Sequence, residues 1–486
     1  MVTIAEREFL SEATDAYVDA MVGRAVAAQK EIQTLSEEAT DMLLQALAQR
    51  IYLHAEELAI AAVQETGLGN VVDKTTKNCF ASLDVYRSLV GRVGHGYLEI
   101  DRRHKVMTFA SPVGVVFGLV PATNPTSTFI FKVLICLKGR NALILSPSQR
   151  AGSVSNQIGE LVQRVLREQG ASPDLVQWVS SKRSRDTARA FMEHPGVSFI
   201  LATGGSALVK AAYQSGTPAI GVGAGNAPAL VCGDADLKEA ASSIVKSKSF
   251  DNGIVCCSEH NLVVVKSRIE AFKQALEKQG AAVLSEEEML GFLQVAVNPA
   301  RNRLISSIYG QSAADIAAQA KIRRPYPIKL LVVPTEEVSE RNPLAFEKLA
   351  PILSLFTVAD EQAGMRVCED LLMLDGSGHT AMIYTYKASL TEEFGARMPA
   401  SRILVNSPGT QGGIGMTTGL LPSLTLGCGT FGGTSTTDNV TYTHLLNVKR
   451  VAYSIPPWRI SVVRRLKEVL LAGFGRSKLK ERATGC

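Results

Sequence analysis

Between about Glu6 and Ala62 apolar positions recur at steps of three and four residues, as in TDMLLQALAQRIYLHAEELAIAAVQE. That period, in a stretch rich in Ala, Glu and Gln, predicts long amphipathic helices. From Val113 the texture changes. Short runs rich in Val and Ile (VGVVFGLV, ALILS, VSFILATGG, APALVCG) alternate with helix-like stretches such as SVSNQIGELVQRVLREQG. Apolar runs alternating with helical patterns are the signature of parallel strands joined by crossover helices. The pattern resumes after Asp236, where EAASSIVKSKSF and SRIEAFKQALEKQG read as helices and NLVVVK, PIKLLVV and SLFTVA as strands, so a second α/β unit is expected. The most apolar region, Pro112 to Leu145, is cut by Asn124, Lys132, Lys138 and Arg140. It contains no run of the roughly 18 residues that a membrane span requires. The start, MVTIAEREFLSEATDAYV, lacks the basic region and apolar core of a secretory signal. A soluble protein is the expectation.

A chain of 486 residues, 46% hydrophobic and 20% charged, exceeds the size at which a single core usually divides. Two domains, or two with an arm, follow. The 51 Lys+Arg against 46 Asp+Glu leave a net charge of only +5, scattered except near the C-terminus, which gives nucleic-acid binding little support. Eight cysteines at irregular spacings signal neither a disulfide framework nor a metal site and fit a reduced, cytoplasmic setting. From Asn406 to Asp438 the chain is rich in Gly, Ser and Thr yet keeps Leu, Met, Phe and Pro, and reads as a structured loop region near a ligand.

Three segments carry candidate chemistry. In Phe250-Asp-Asn-Gly-Ile-Val-Cys256-Cys257-Ser-Glu-His260 a cysteine sits between a helix-like stretch and an apolar strand, after a glycine that permits a tight turn. Such a junction can expose a thiol beside free backbone N–H groups, although most cysteines are small buried apolar residues. In Pro121-Ala-Thr-Asn124-Pro, between a strand and an apolar helix, Asn124 is either a helix cap or an amide aimed into a crevice at a strand end. In Thr203-Gly204-Gly205-Ser206 a strand gives way to a helix, and the glycines would let a phosphate approach the helix N-terminus.

Taken in order and spacing, these segments resemble the aldehyde dehydrogenase superfamily, and most of all its CoA-acylating branch. The matching stretches are ETGLGNVVDKTTKN, SPVGVVFGLVPATNPTSTFIFKVLICLKGRNALILSPSQRA, GVGAGNAP, SFDNGIVCCSEH, GSGHTA around His379, and the run from SRILVNSPGTQGGIG to DNVTYTHLLNVKR. They cover most of residues 6–453. The resemblance implies an α/β, aldehyde dehydrogenase-like fold. A Rossmann-type cofactor domain with N-terminal helices would span residues 1–236, a catalytic domain 237–432, and an oligomerisation arm 433–454 would return to the cofactor domain.

The resemblance also implies roles. Cys256 is the nucleophile that attacks an aldehyde and carries the thioester, and Asn124 is the side-chain oxyanion donor. Thr203, Gly204, Gly205 and Ser206 form the loop beneath the nicotinamide, Glu347 holds its ribose, and Ser146-Pro147 begins the adenosine-ribose motif. Glu347 also admits the plainer reading of a solvated charge. His379 belongs to a motif of the acylating branch and would assist the thiol or contact the CoA side, unless it is a satisfied buried histidine. Cys257 departs from the family pattern of a small residue and is read as packing. NAD is the expected cofactor, with NADP admitted through Arg150, and no metal is implied.

Hydrolytic relatives carry a general-base glutamate in an ELGGK-type motif, and its counterpart here, GVGAGNAP, has no acid. Without a base to activate water, thioester hydrolysis should be slow, whereas CoA, with a thiol of lower pKa than water, needs less help. The expected reaction is therefore reversible oxidation of a small aldehyde to an acyl-CoA. A hydrolytic aldehyde dehydrogenase and a non-catalytic assembly subunit are the alternatives. A homodimer or homotetramer is expected. The basic tail 455–486 places Ile460, Val463, Leu466 and Leu470 near one helical face, suited to docking on the enzyme itself or to contact with a bacterial microcompartment.

Overall fold

The computed structural model describes residues 4–181, 183–455 and 469, so Ile460, Val463, Leu466 and Leu470 of the expected tail helix lie outside the described residues. Two compact units are present: residues 1–94 with 112–446, and residues 95–111 with the chain from 447 onward.

In the first unit the helical period of the N-terminal stretch appears as helices Ile4–Ile32, Glu37–Leu53 and Ala55–Thr66. The second begins where the Ser36 hydroxyl accepts the Ala39 N–H, and the third ends on Gly67 in the left-handed conformation (φ +67°). The apolar runs that follow pair as two all-parallel sheets. The smaller has the strand order Val176–Trp178, Ala142–Pro147, Val115–Val120, Phe199–Thr203, Ala219–Val222. The larger runs Ala281–Val283, Leu330–Pro334, Ile352–Val358, Asn261–Val265, Pro228–Val231, Gly378–Tyr384, Ala400–Val405. The central strands are buried throughout, which is why they read as continuous apolar runs rather than alternating ones.

Register decides what these sheets present. Val116 pairs with Phe199 and Leu119 with Ala202, so two neighbouring strands end together and set the 121–124 loop beside the 203–205 loop. Ligands in open parallel sheets sit outside such carboxyl ends. The Gly-, Ser- and Thr-rich region is ordered, with Ser423, Thr425, Leu426, Cys428 and Thr434 all buried.

The second unit is a three-stranded sheet. Gly96–Asp101 pairs antiparallel with Val106–Pro112, which neighbours Leu446–Ala452, and Tyr97 packs edge-on against Phe109 at 5.7 Å. Among the described residues no helix is long and apolar enough to cross a membrane, no cluster of His, Cys, Asp and Glu could hold a metal ion, and the seven cysteines are free.

The fully buried Phe117 stacks on Phe191 at 5.0 Å, fastening the smaller sheet to the helix Arg185–Glu193. Phe117→Ala is expected to cost about 3–5 kcal/mol through the cavity it leaves, read as a lower denaturation midpoint. An unchanged midpoint would show that this contact contributes little.

Candidate active site

Left-handed backbone leads into Cys256, and the local sequence explains how. Three successive residues before it, Asp251 (φ +48°), Asn252 (+54°) and Gly253 (+72°), adopt left-handed backbone. For the two non-glycines this is costly and persists only where partners enforce it. Here Asp73 accepts the Asp251 N–H at 2.8 Å, and the Asn252 amide donates to the Gly310 carbonyl at 2.8 Å. The chain then turns, with the Ser258 N–H donating to the Val255 carbonyl at 3.0 Å, and Cys256 lies on that turn.

Cys256 opens into a cavity of about 210 Å³. Asn124, Thr203, Gly204, Gly205 and Glu347 line the same cavity, along with Lys77 and the apolar side chains Pro121, Val222, Ile254, Leu349, Ile414, Leu424 and Leu426. The structure therefore brings together six of the residues singled out in the sequence. His379 joins them from behind the thiol. Its Nε2 lies 3.2 Å from Cys256 Sγ, and its Nδ1 lies 2.9 Å from Thr380 Oγ1. The reading of His379 as merely a satisfied buried histidine omits that contact.

Ser206 and the adenosine motif stand apart. Ser206 lines a second depression of about 810 Å³, bordered by Arg185, Arg189 and Leu208, which shares only Gly205 with the first cavity. Ser146 and Pro147 close a strand and are not among the residues lining either cavity. The Arg150 guanidinium donates to the Thr66 carbonyl at 3.0 Å.

Asn124 precedes the helix Pro125–Lys138 but makes no side-chain cap, so the capping alternative does not hold. Its amide nitrogen donates to Thr123 Oγ1 at 3.1 Å, and its amide oxygen accepts from Lys77. Glu347 is not a solvated charge either. Its Oε1 accepts the Gly225 N–H at 2.9 Å, and burial, with Asp375 adding to it, pushes its carboxyl up to about 7. The 221–228 stretch runs tight against the nucleophile: a Cβ on Gly225 would collide with the Cys256 carbonyl oxygen. Glu347 is the only carboxylate among the residues lining the smaller cavity.

Electrostatics set the resting protonation states. Burial drives the Cys256 thiol well above its ordinary value, with Cys257 and Glu347 adding to the shift. Burial and then Arg402 push His379 down to about 3, so its ring is neutral near pH 7. The tautomer that donates from Nδ1 to Thr380 leaves Nε2 able to accept the Cys256 proton. Cys257 is fully buried, its Sγ 3.6 Å from the Thr410 carbonyl, and burial pushes its thiol up to about 12. It is not among the residues lining the cavity.

Sequence reasoning missed Lys77, Asp251 and Arg402. Arg402 is buried and donates to the carbonyls of His379 at 2.8 Å and Gly427 at 2.5 Å, joining GSGHTA to LGCGTFGG. The one available signal was Lys74 and Lys77 spaced one helical turn apart in a motif shared with the family.

A thiol held above its ordinary pKa forms thiolate only as the pH rises. Alkylation of Cys256 by iodoacetamide in the ligand-free protein, mapped by mass spectrometry, is expected to be slow at pH 7 and to climb above about pH 9, with Cys257 unmodified. A midpoint on the acid side of neutrality would contradict this account of the resting site.

The aldehyde dehydrogenase family model matches residues 8–443. The chain is 40% identical over 442 residues to the bifunctional aldehyde-alcohol dehydrogenase AdhE of Escherichia coli (strain K12), covering 90% of this chain and 49% of that protein. It thus spans about half the length of that bifunctional relative. It is 33% identical over 433 residues to the succinate-semialdehyde dehydrogenase (acetylating) of Clostridium kluyveri, covering 89% of this chain and 95% of that one. Its fold is similar to the crystal structure of an acetylating aldehyde dehydrogenase from Geobacillus thermoglucosidasius, with a TM-score of 0.89, 39% identity, and coverage of 92% of this chain and 98% of that one. With a family match over nearly the whole described chain and the fold to go with it, the protein belongs to the aldehyde dehydrogenase family.

Proposed function

We propose that this chain oxidises a small, uncharged aldehyde with NAD and passes the acyl group from Cys256 to coenzyme A. The observation that carries the reading is the pairing of Cys256 with the neutral His379, in a cavity that Asn124 also lines and whose 221–228 wall offers no acid.

The residues present fit a dinucleotide. The helix Ser206–Gln214 starts at Gly205 with no side-chain cap, and space is open around Gly205, so its first N–H groups are available to a phosphate where the two cavities meet. Thr203 to Gly205 would lie beneath the nicotinamide, Glu347 would accept from its ribose, and Ser206 and the Ser146-Pro147 strand end would serve the adenosine side. NAD supplies the hydride acceptor. NAD is kept ahead of NADP on the family resemblance, with Arg150, which spends one of its donors on the Thr66 carbonyl, as the residue that would meet a 2′-phosphate.

The chain's own residues supply the rest. His379 Nε2 takes the Cys256 proton as the sulfur adds to the aldehyde carbon, so thiolate charge never has to persist in a buried site. Asn124 donates its free amide N–H to the developing oxyanion, with the Cys256 backbone N–H as the second donor. Loss of hydride from the same carbon leaves a thioester on Cys256. Once His379 has released that first proton to solvent, it takes the proton of the CoA thiol as that sulfur adds to the thioester carbonyl, and returns it to the Cys256 sulfur that is expelled.

An uncharged substrate is supported by the one cation on the cavity wall. Lys77 is already bonded to the buried Asp251 carboxylate and is not available to an anionic aldehyde. The wider reading keeps residues 1–236 as cofactor domain, 237–432 as thioester domain and 433–454 as arm. The exposed apolar side chains Tyr97, Ile100, Val448 and Val451 of the three-stranded unit support assembly as a homodimer or homotetramer. A cytoplasmic setting goes with this reading, with the tail 455–486 as the segment that would reach a microcompartment shell or cargo.

Without CoA, aldehyde and NAD are expected to give a single burst of about one NADH per site and then stall. With CoA, turnover should continue, and Cys256→Ala should abolish both phases. Sustained turnover without CoA would favour the hydrolytic alternative. In a panel of equal-sized aldehydes, kcat/KM for uncharged members should exceed that for carboxylate- or sulfonate-bearing ones by about tenfold or more, because an unpaired charge is costly in a buried site. The opposite order would mean that Lys77 serves the substrate rather than Asp251.

A further inference from the structure

The helix Val71–Cys79 carries Lys74 and Lys77 one turn apart, and both are 1% exposed. Lys74 donates to Asp251 Oδ2 and to the Thr123 carbonyl, each at 3.0 Å. Lys77 donates to the same Asp251 oxygen and to the amide oxygen of Asn124. Asp251 is held in turn by the Asn70 N–H on Oδ1 at 2.9 Å, and it presses so close to Gly69 that any Cβ there would collide with it.

An ammonium has donors and no acceptor, so the Asn124 atom that meets Lys77 must be the carbonyl oxygen. The amide plane is thereby fixed. One N–H goes to Thr123 Oγ1, and the other is left for the cavity that Asn124 lines. A charge on the amide oxygen also draws electron density from the nitrogen and makes the remaining N–H a stronger donor. Charge balance alone does not require Lys77, since Lys74 already pairs with Asp251 at 3.0 Å.

We propose that Lys77 is a positioning residue for the oxyanion site: anchored by Asp251, it grips the Asn124 amide oxygen and turns an N–H toward the aldehyde oxygen. The proposal rests on the reading of Asn124 as the oxyanion donor. It assigns a role to ETGLGNVVDKTTKN, whose residues lie far in sequence from the nucleophile.

The test is a double-mutant cycle on the first-turnover rate of NADH formation. Lys77→Met is expected to slow that step about 10- to 100-fold, somewhat less than outright loss of an oxyanion donor, while leaving the KM for NAD unchanged. In an Asn124→Ala background the same substitution should cost nothing further, because the group it positions is gone. Lys77→Gln keeps a shorter, neutral donor, should give an intermediate loss, and carries the same cycle if the Met variant does not fold. An equal loss from the Lys77 substitution with and without Asn124 would overturn the proposal. Asn124→Ala at wild-type rate would instead overturn the oxyanion reading, and the proposal with it.

Discussion

Burying a carboxylate is unfavourable unless cations and N–H groups replace the water it loses, and Asp251 is where the chain meets that demand. Burial alone would raise its carboxyl, but Lys77 and Lys74 together hold it below the ordinary range. Its contribution to stability is therefore present above the ordinary carboxyl pKa and is lost as the pH falls through the lower folded value. Lys74 works in the other sense. Burial and then Lys77 push it down to about 8 from an ordinary 10.5, so its effect on stability becomes more favourable as the pH rises through that interval. Through these bonds one carboxylate enforces the left-handed turn that leads to Cys256 and anchors the helix that grips Asn124.

The two sides of the candidate site come from different parts of the chain, and parallel-sheet register brings them together. The strands ending at Val120 and Thr203 are neighbours, so the Asn124 loop and the Gly204-Gly205 loop need no long excursion to share a cavity. The cysteine loop approaches from the other sheet's connections and packs against Gly225, where only a glycine fits. The resting electrostatics follow from this packing. A buried thiolate beside a buried imidazolium would cost more desolvation than the pair regains, so both are neutral, with Nε2 and Sγ 3.2 Å apart and within reach of a direct proton transfer.

The strands and crossover helices were legible in the sequence because continuous apolar runs and helical periods survive in a chain buried on both faces of its sheets. Asn124 and Thr203 to Gly205 were legible because each follows the end of a strand, Cys256 because it sits on a turn between a helix and a strand, and all of them match a family motif. Lys77 and Asp251 were not, because their pairing joins residues 174 apart and no local pattern announces it. The left-handed Asp251 is equally silent, since a following Asn-Gly marks a turn without saying which residues carry the strain. Ser206 followed the TGGS motif in sequence but faces the wider depression, because the strand has become a helix at that point and its side chain leaves on another face.

The choice between water and CoA as acyl acceptor turns on Glu347. It is the one carboxylate on the cavity wall and, at about 7, would be half ionised near neutrality, which is where a general base works best. Its Oε1, however, is committed to the Gly225 N–H, and the same bond secures the loop packed on the Cys256 backbone. Swinging the carboxylate toward water would give up that bond and loosen the wall behind the thioester. On the proposed reading its use as a ribose acceptor leaves it where it is. A thiol acceptor needs no such movement, because it ionises far more readily than water and His379 already faces the sulfur it must displace.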